Sequence, residues 1–212
     1  MNSAVGAAAR VAFSQIPSAV PLYIASAEDG ETTVETLAKA AKTDGWYCVC
    51  PAGTDEGEFE EIAQWTEAQR KIFGYTYVGE TDPVSGIYYR AFGFCGRIYD
   101  WDNNKTAAEN LESVPGDNKY IHVAAAAKTL TYEPGSETWH LKRLAAVTPS
   151  KFSGAFINEL ETHNTNYFTR FANANVTVNG KVKAGEWIDT IRFRDWLEND
   201  MQMYKCLKPA IL

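Results

Sequence analysis

The stretch GEWIDTIRFRDWLENDMQMY, Gly185 to Tyr204, gathers the residue types that acid–base chemistry requires. It places Asp189, Asp195, Glu198 and Asp200 beside Arg192 and Arg194. Two carboxylates held in a concave, water-poor site can divide a proton between them as general acid and general base. The spacing argues against that use. With Asp189 or Thr190 as the cap of a helix, Phe193, Trp196, Leu197, Met201 and Tyr204 fall at i, i+3, i+4, i+8 and i+11, which is one apolar stripe. Arg192, Arg194, Asp195, Glu198, Asn199 and Gln202 then face away from the stripe, with Arg194 and Glu198 as an i,i+4 ion pair. The acids and bases are expected along a solvated or partner-facing side, not around a pocket.

Other chemistries find less support. Cys95 in FGFCGR would be a nucleophile only with a base beside it; no His is near in sequence and the flanks are apolar, so a packed strand thiol is expected. Cys48 and Cys50 are two apart in an apparent strand and share a face. With Cys206 they read as reduced, core-packing residues. His122, His140 and His163 are scattered without metal-ligand spacing. No GxGxxG, phosphate-binding loop, GxSxG elbow or HExxH occurs. Catalytic, cofactor-binding and metal residues are therefore all expected to be none.

Bulk properties narrow the classes further. The chain has 212 residues, a net charge of −7 and 45% hydrophobic content, enough for one domain or one and part of a second. An acidic chain repels phosphate backbones, so nucleic acid is not an expected partner. No apolar run approaches the ~18 residues of a membrane span, and the small-residue N-terminus lacks the basic start of a signal peptide.

The elements that must position these residues read as follows. Residues 1–19 are expected as an extended N-terminal arm. PLYIASA (21–27), WYCVCPA (46–52) and GYTYVGE (74–80) read as buried strands. Between them lie an amphipathic helix over 33–43, capped by Thr32 or Thr33 and stopped by Asp44–Gly45, and a second from Phe59 to about Ile72. Residues 87–102 read as β-prone, with Gly93 and Gly96 as bends or bulges. Residues 103–119 read as irregular, 120–130 as an alanine-rich helix and 139–147 as an extended connector. Ser150 is expected to cap a helix over 151–163, and Asn179–Gly180 to mark a hairpin turn. The expected fold class is mixed α/β (α+β): a layered sheet with parallel strands flanked by helices over 20–149, then a helix–β-hairpin–helix segment over 150–212.

Several of these segments together resemble contractile phage tail sheath proteins. GKVKAGEWIDTIRFRDWLENDMQ (180–202) resembles the entry into the sheath C-terminal domain. LETHNTNYFTRFANANVTVNGKV (160–182) and EPGSETWHLKRLAAVTPS (133–150) are similar to the segments before it. WYCVCPAGTDEGEFEEIAQWTEAQRKIFGY (46–75) is similar to the sheath middle domain. The resemblance implies a structural protein of the virion, assembled in the host cytoplasm, which polymerises around a tail tube and contracts to deliver the genome. Its implied partners are other sheath subunits and the tube protein. It brings no catalytic residue and no cofactor. The chain is shorter than a sheath protein, so a shortened piece, a truncated gene or a divergent relative is expected. Without both strand-donating arms, a monomer is an alternative state.

The candidate interface comprises Trp187, Arg192, Phe193, Arg194, Asp195, Trp196 and Tyr204, because aromatics with Arg on a helix suit an interface anchor. Two readings compete with a sheath subunit. One is a small doubly wound enzyme or ligand-binding domain, whose acidic loops AEDGETT and AGTDEGE would lie at the carboxyl ends of strands and would hold at most a cation. The other is a different adaptor of the tail apparatus.

Overall fold

The computed structural model describes residues 3–17, 21–43 and 45–202 with their side chains, and the backbone alone over 203–207. Two short runs rich in aromatics form its centre. Strands β2 (Ile72–Tyr77) and β3 (Ala91–Cys95) are buried at every position, as parallel strands covered on both faces must be. They pair in parallel, Phe73 with Ala91 through to Tyr77 with Cys95. β1 (Cys48–Val49) joins the free side of β2 in parallel, β4 (Asn166–Phe171) joins β3 in parallel, and β5 (Ala174–Val178) pairs antiparallel with β4. The strands stand in chain order, β1-β2-β3-β4-β5. This is the mixed α/β class expected, and the helix–hairpin–helix segment is present.

Helices cover both faces. On one, α2 (Thr33–Ala40), α3 (Phe59–Glu67) and α6 (Gly154–Thr162) bring Leu37, Phe59, Ile62 and Leu160 onto Phe73, Tyr75 and Tyr77. On the other, α5 (Ile121–Thr129) and α7 (Ile188–Leu207) set Ile121, Ala125, Ile188 and Ile191 against Ile72, Phe92, Phe94 and Phe168. The alternation of β2 and β3 side chains between the two clusters is the period-2 geometry of a strand. Gly74 lies opposite Phe92, and Gly93 opposite Tyr75. A Cβ on Gly93 would stand 2.5 Å from the Tyr75 ring. Gly93 is thus neither bend nor bulge; it leaves room for a ring from the neighbouring strand.

Several local expectations are corrected. Residues 4–13 are not extended: they form helix α1 (Ala4–Phe13), capped by Ser3, with Ala8 and Ala12 packed on Val123 and Ala127 of α5. Residues 21–27 carry no strand; Leu22, Tyr23 and Ile24 are exposed, and among the described residues no backbone hydrogen bond ties them to β1. The first strand of the sheet is only the pair Cys48–Val49. Helix α2 ends at Ala40; of its expected stop signal, Asp44 lies outside the described residues and Gly45 has φ 94°. Helix α3 stops at Glu67, because Ile72 already belongs to β2. In the stretch taken as irregular, helix α4 (Ala107–Glu112) forms on a capping box of Thr106 and Glu109.

The β-prone stretch 87–102 yields only β3. The connector 139–147 is not extended: Leu141 and Ala146 have positive φ, and only its Leu141–Lys142 stretch pairs with Thr177 of β5. Ser153, not Ser150, caps α6, its Oγ accepting from Phe156 N at 3.3 Å; Ser150 instead lies beside Thr169 of β4. The hairpin turns at Ala172–Asn173, since Phe171 pairs with Ala174. Asn179–Gly180, both at φ 76°, bend the chain after β5 into a second short antiparallel bridge, Lys181 with Trp187. That bridge delivers the chain into α7.

Candidate functional site

Helix α7 turns inward two of the residues that the sequence assigns to its outward side, Arg192 and Asp195, while Arg194, Glu198, Asn199 and Gln202 stay exposed. Ile188 and Ile191 are fully buried, and Arg192 and Asp195 go in with them. Asp195, 2% exposed, accepts a two-pronged pair from Arg90, Nη1 to Oδ2 and Nη2 to Oδ1, both at 2.7 Å, and a third bond from the Tyr47 hydroxyl at 2.7 Å. Burial by itself raises the Asp195 pKa. The hydrogen bonds from Arg90 and Tyr47 outweigh it, and the carboxyl is held below its ordinary value. Tyr47 moves the other way, pushed up by burial and by the neighbouring Asp195 charge. The geometry therefore fixes an ionised carboxylate and a neutral phenol, which suits a brace and not a proton shuttle.

Arg192 performs a second anchoring task. Its guanidinium donates to the carbonyls of Thr129 at 3.0 Å and Leu130 at 3.3 Å, and also to that of Tyr132. These lie at and just past the end of α5, where carbonyls lack helical partners and the helix dipole is negative. Arg192 thus caps one helix from the middle of another. Both residues were expected on the outward side of α7; specific partners in distant segments draw them inward.

The side left open carries four large apolar residues. Phe193, Trp196, Leu197 and Met201 are 42%, 44%, 41% and 53% exposed. Phe193 and Trp196 stack with centroids 5.9 Å apart and planes at 27°. The Phe193 ring sits over Gly135 in the 134–136 turn. Trp187, 44% exposed, stands edge-on to His140 at 6.2 Å with Lys181 Nζ 5.6 Å from its ring. Arg194 pairs with Glu186 at 3.9 Å, not with Glu198, which takes Arg70 at 3.6 Å. Tyr204's side chain lies outside the described residues. Of the seven candidate residues, the structure gathers Phe193 and Trp196 on one open surface, with Trp187 exposed at the start of the helix and Arg194 on its exposed flank. It withdraws Arg192 and Asp195 into the core.

The other reactive groups are accounted for by packing. Cys48 and Cys50 share a face with sulfurs 3.7 Å apart, and Cys95 is buried; Cys206's side chain lies outside the described residues. The hydrogen bond to Cys50 and burial push the Cys48 thiol up, and burial does the same to Cys95. His122 is held between Thr76 and the Pro51 carbonyl, and burial lowers its pKa to about 3, so it is neutral. In the two acidic loops, Glu31 pairs with Lys39 at 2.8 Å and Asp55 accepts from Gly57 N at 2.8 Å. Among the described residues no three His, Cys, Asp or Glu converge as metal ligands. A cleft of about 1270 Å³ lies between α1, residues 21–28, α2 and α7, with Arg192, Asp195, Trp196 and Asn199 of α7 in its wall.

No family model matches the sequence, and no curated protein does. Among solved structures, a chain of the anti-feeding prophage baseplate, determined by cryo-electron microscopy with six-fold symmetry imposed, superposes over 100% of this chain at a TM-score of 0.64 and 15% identity. The chain shares the fold of that baseplate component. It spans 60% of that chain's length. A crystal structure of a sheath tail protein from Desulfitobacterium hafniense matches 82% of this chain, and 43% of its own, at 14% identity and a TM-score of 0.46.

Within this baseplate-like fold, Arg90 and Tyr47 are the partners that sequence reasoning missed. They lie 105 and 148 residues from Asp195, and no local pattern couples them. The one local hint was Asp195 itself, next to a Trp in a helix with a strong apolar stripe elsewhere.

Proposed function

We propose that this chain is a structural subunit of a contractile tail assembly, and that the open aromatic face of α7 docks on a neighbouring subunit. The observation that carries this reading is the row Phe193, Trp196, Leu197 and Met201, left uncovered on a helix whose other side is locked into the core. A soluble chain has no fold-related reason to hold stacked aromatics in water, whereas interface centres are enriched in Trp, Phe and Arg. The likeness to a baseplate component supports the setting. In this reading the subunit joins others of its kind around the tail tube as sheath, contracts with them to drive genome delivery, and uses no cofactor and no catalytic step. Trp187 and Arg194 contribute at the start and flank of the surface.

A second reading, a baseplate adaptor that does not contract, is favoured by the source of the structural match. Both are tested by producing the full-length reading frame, alone and with the tube protein, and imaging it by electron microscopy. Tubes of stacked rings that shorten on triggering support a sheath subunit; single closed rings that do not stack support the adaptor. Monodisperse monomers under all conditions contradict both.

A further inference from the structure

The sheet ends on an open edge, and an unpaired extended segment faces it. β1 pairs with β2 alone. Ile72 N donates to Tyr47 O at 2.9 Å, with Cys48 in register with Ile72. By the alternation of a parallel strand, Tyr47 and Val49 therefore turn their backbone groups to β2, and Cys48 and Cys50 turn theirs outward. No further strand meets them among the described residues. An edge of that kind is a template for another strand.

Residues 21–27 run past this edge. Helix α1 packs on α5, and α2 packs with α3 on the other side of the sheet, so the chain between α1 and α2 has to cross from one side to the other. The segment and β1 both line the cleft of about 1270 Å³. The Tyr23 hydroxyl lies 3.3 Å from where a Cβ on Gly45 would stand, beside the entry to β1. Among the described residues no backbone N–H of 22–27 finds an acceptor, and Leu22, Tyr23 and Ile24 are 43%, 55% and 65% exposed. The composition nonetheless suits a strand. It is apolar and aromatic, and its proline stands first, where a missing N–H is tolerated.

The position of α2 decides between a stray loop and an unseated strand. Crossovers between parallel strands are right-handed in nearly all proteins. A strand outside β1, continuing the direction β1 to β2 across the sheet, has to send its helix over the same face as α3. Helix α2 lies there: Leu37 shares one cluster with Phe59, Ile62 and Phe73. Residues 21–49 also match the ~30-residue length of a strand–helix–strand unit. The helix and the second strand of that unit are in place, and the first strand stands off its edge.

We propose that residues 21–27 are a strap that seats in parallel on the open edge of β1 as a sixth strand and closes the cleft. Seating supplies partners for the outward N–H and C=O groups of Cys48 and Cys50. It places Leu22 and Ile24 on one face of the sheet and Tyr23 on the other. Neither 21–27 nor 46–53 carries a charged side chain, so closure buries no charge of its own.

Hydrogen exchange of the full chain, read by mass spectrometry on peptides covering 21–27 and 46–52, tests the strap. Seating predicts that the amides of 22–27 exchange at least roughly tenfold more slowly than an unstructured chain. Ile24→Pro, which removes one ladder donor from a position exposed in the open form, should abolish that protection and speed exchange in 46–52 as well. Should Ile24→Pro not fold, Ile24→Asp, which sets a charge on the seated face, carries the same test. Protection in 22–27 should not change on dilution, because the strap and the edge belong to one chain. Protection lost on dilution would assign the added strand to a second copy and overturn the proposal. Exchange of 22–27 at the unstructured rate, or equal protection of 46–52 in wild type and variant, would overturn it too.

Discussion

The two faces of helix α7 depart from the ordinary amphipathic rule. The face turned inward carries Arg192 and Asp195 with Ile188 and Ile191; the face turned outward carries Phe193, Trp196, Leu197 and Met201 among polar residues such as Arg194 and Glu198. Apolar burial is worth about 25 cal/mol per Å², so leaving stacked aromatics in water while burying a carboxylate looks unfavourable on area alone. What reverses the balance is specificity of partner. Asp195 meets three aimed donors, and Arg192 meets carbonyls at the end of α5 that no helical N–H reaches. The inner face is thereby a rigid mount, and the outer face is available for another body. Each face makes a distinct prediction about what its removal does.

The largest effect is expected on the inner face. Asp195→Ala leaves the Arg90 guanidinium buried and unpaired, and should cost about 3–5 kcal/mol in chemical denaturation. Arg192→Met keeps the stem but removes the donor to the carbonyls of Leu130 and Tyr132 and one of two donors to Thr129, with an expected loss of about 2 kcal/mol. If either change proves neutral, the inner face is not the mount and the comparison between faces collapses.

Acid should sharpen the contrast by weakening the platform under α7. His122, on α5, is held neutral with a pKa of about 3, whereas in the unfolded chain it takes up a proton below about 6.5. The unfolded state therefore binds more protons across that window, and stability falls as pH drops from about 6.5 to about 3, by about 1.4 kcal/mol per unit at most. Above that window His122 contributes no slope. Asp195, with its pKa held below the ordinary value, adds a further loss once pH falls below about 4. Denaturation midpoints measured from pH 7 to pH 4 check the His122 contribution, which should vanish in His122→Gln.

The smallest effect on the isolated chain is expected on the outer face. Phe193→Ala and Trp196→Ala each remove a side chain less than two-thirds buried and should shift unfolding by no more than about 0.5–1 kcal/mol. A loss of several kcal/mol would instead mark these rings as core.

Much of the fold is written in short-range pattern. The apolar periods of α2 and α3 are legible, as are the alanines of α5 and the aromatic run of β2 and β3. The capping box of Thr106 and Glu109 was equally available, three residues apart, and its helix was overlooked because the surrounding Asn, Lys and Gly residues read as loop. Asn179–Gly180 shows the opposite failure: the dipeptide does force a turn, but β4 had already folded back at Ala172–Asn173, so the strong signal marked the next bend along. The segment 21–27 has strand composition, yet composition does not supply a pairing partner. The seven-residue candidate interface was read from one helical stripe. That stripe groups Phe193, Trp196, Leu197 and Met201, which share the open side, but it omits the buried Ile188 and Ile191, and which side goes inward depends on Arg90, Tyr47 and the end of α5, all distant in sequence. A helical wheel cannot contain that information.

The most direct test of the central claim is a paired measurement on Phe193→Ser/Trp196→Ser in the full-length protein: its unfolding midpoint, and its assembly state by sedimentation and electron microscopy. An unfolding midpoint close to wild type together with loss of rings or tubes is predicted. Normal assembly by the double variant would contradict it, and so would a large fall in stability without a specific assembly defect.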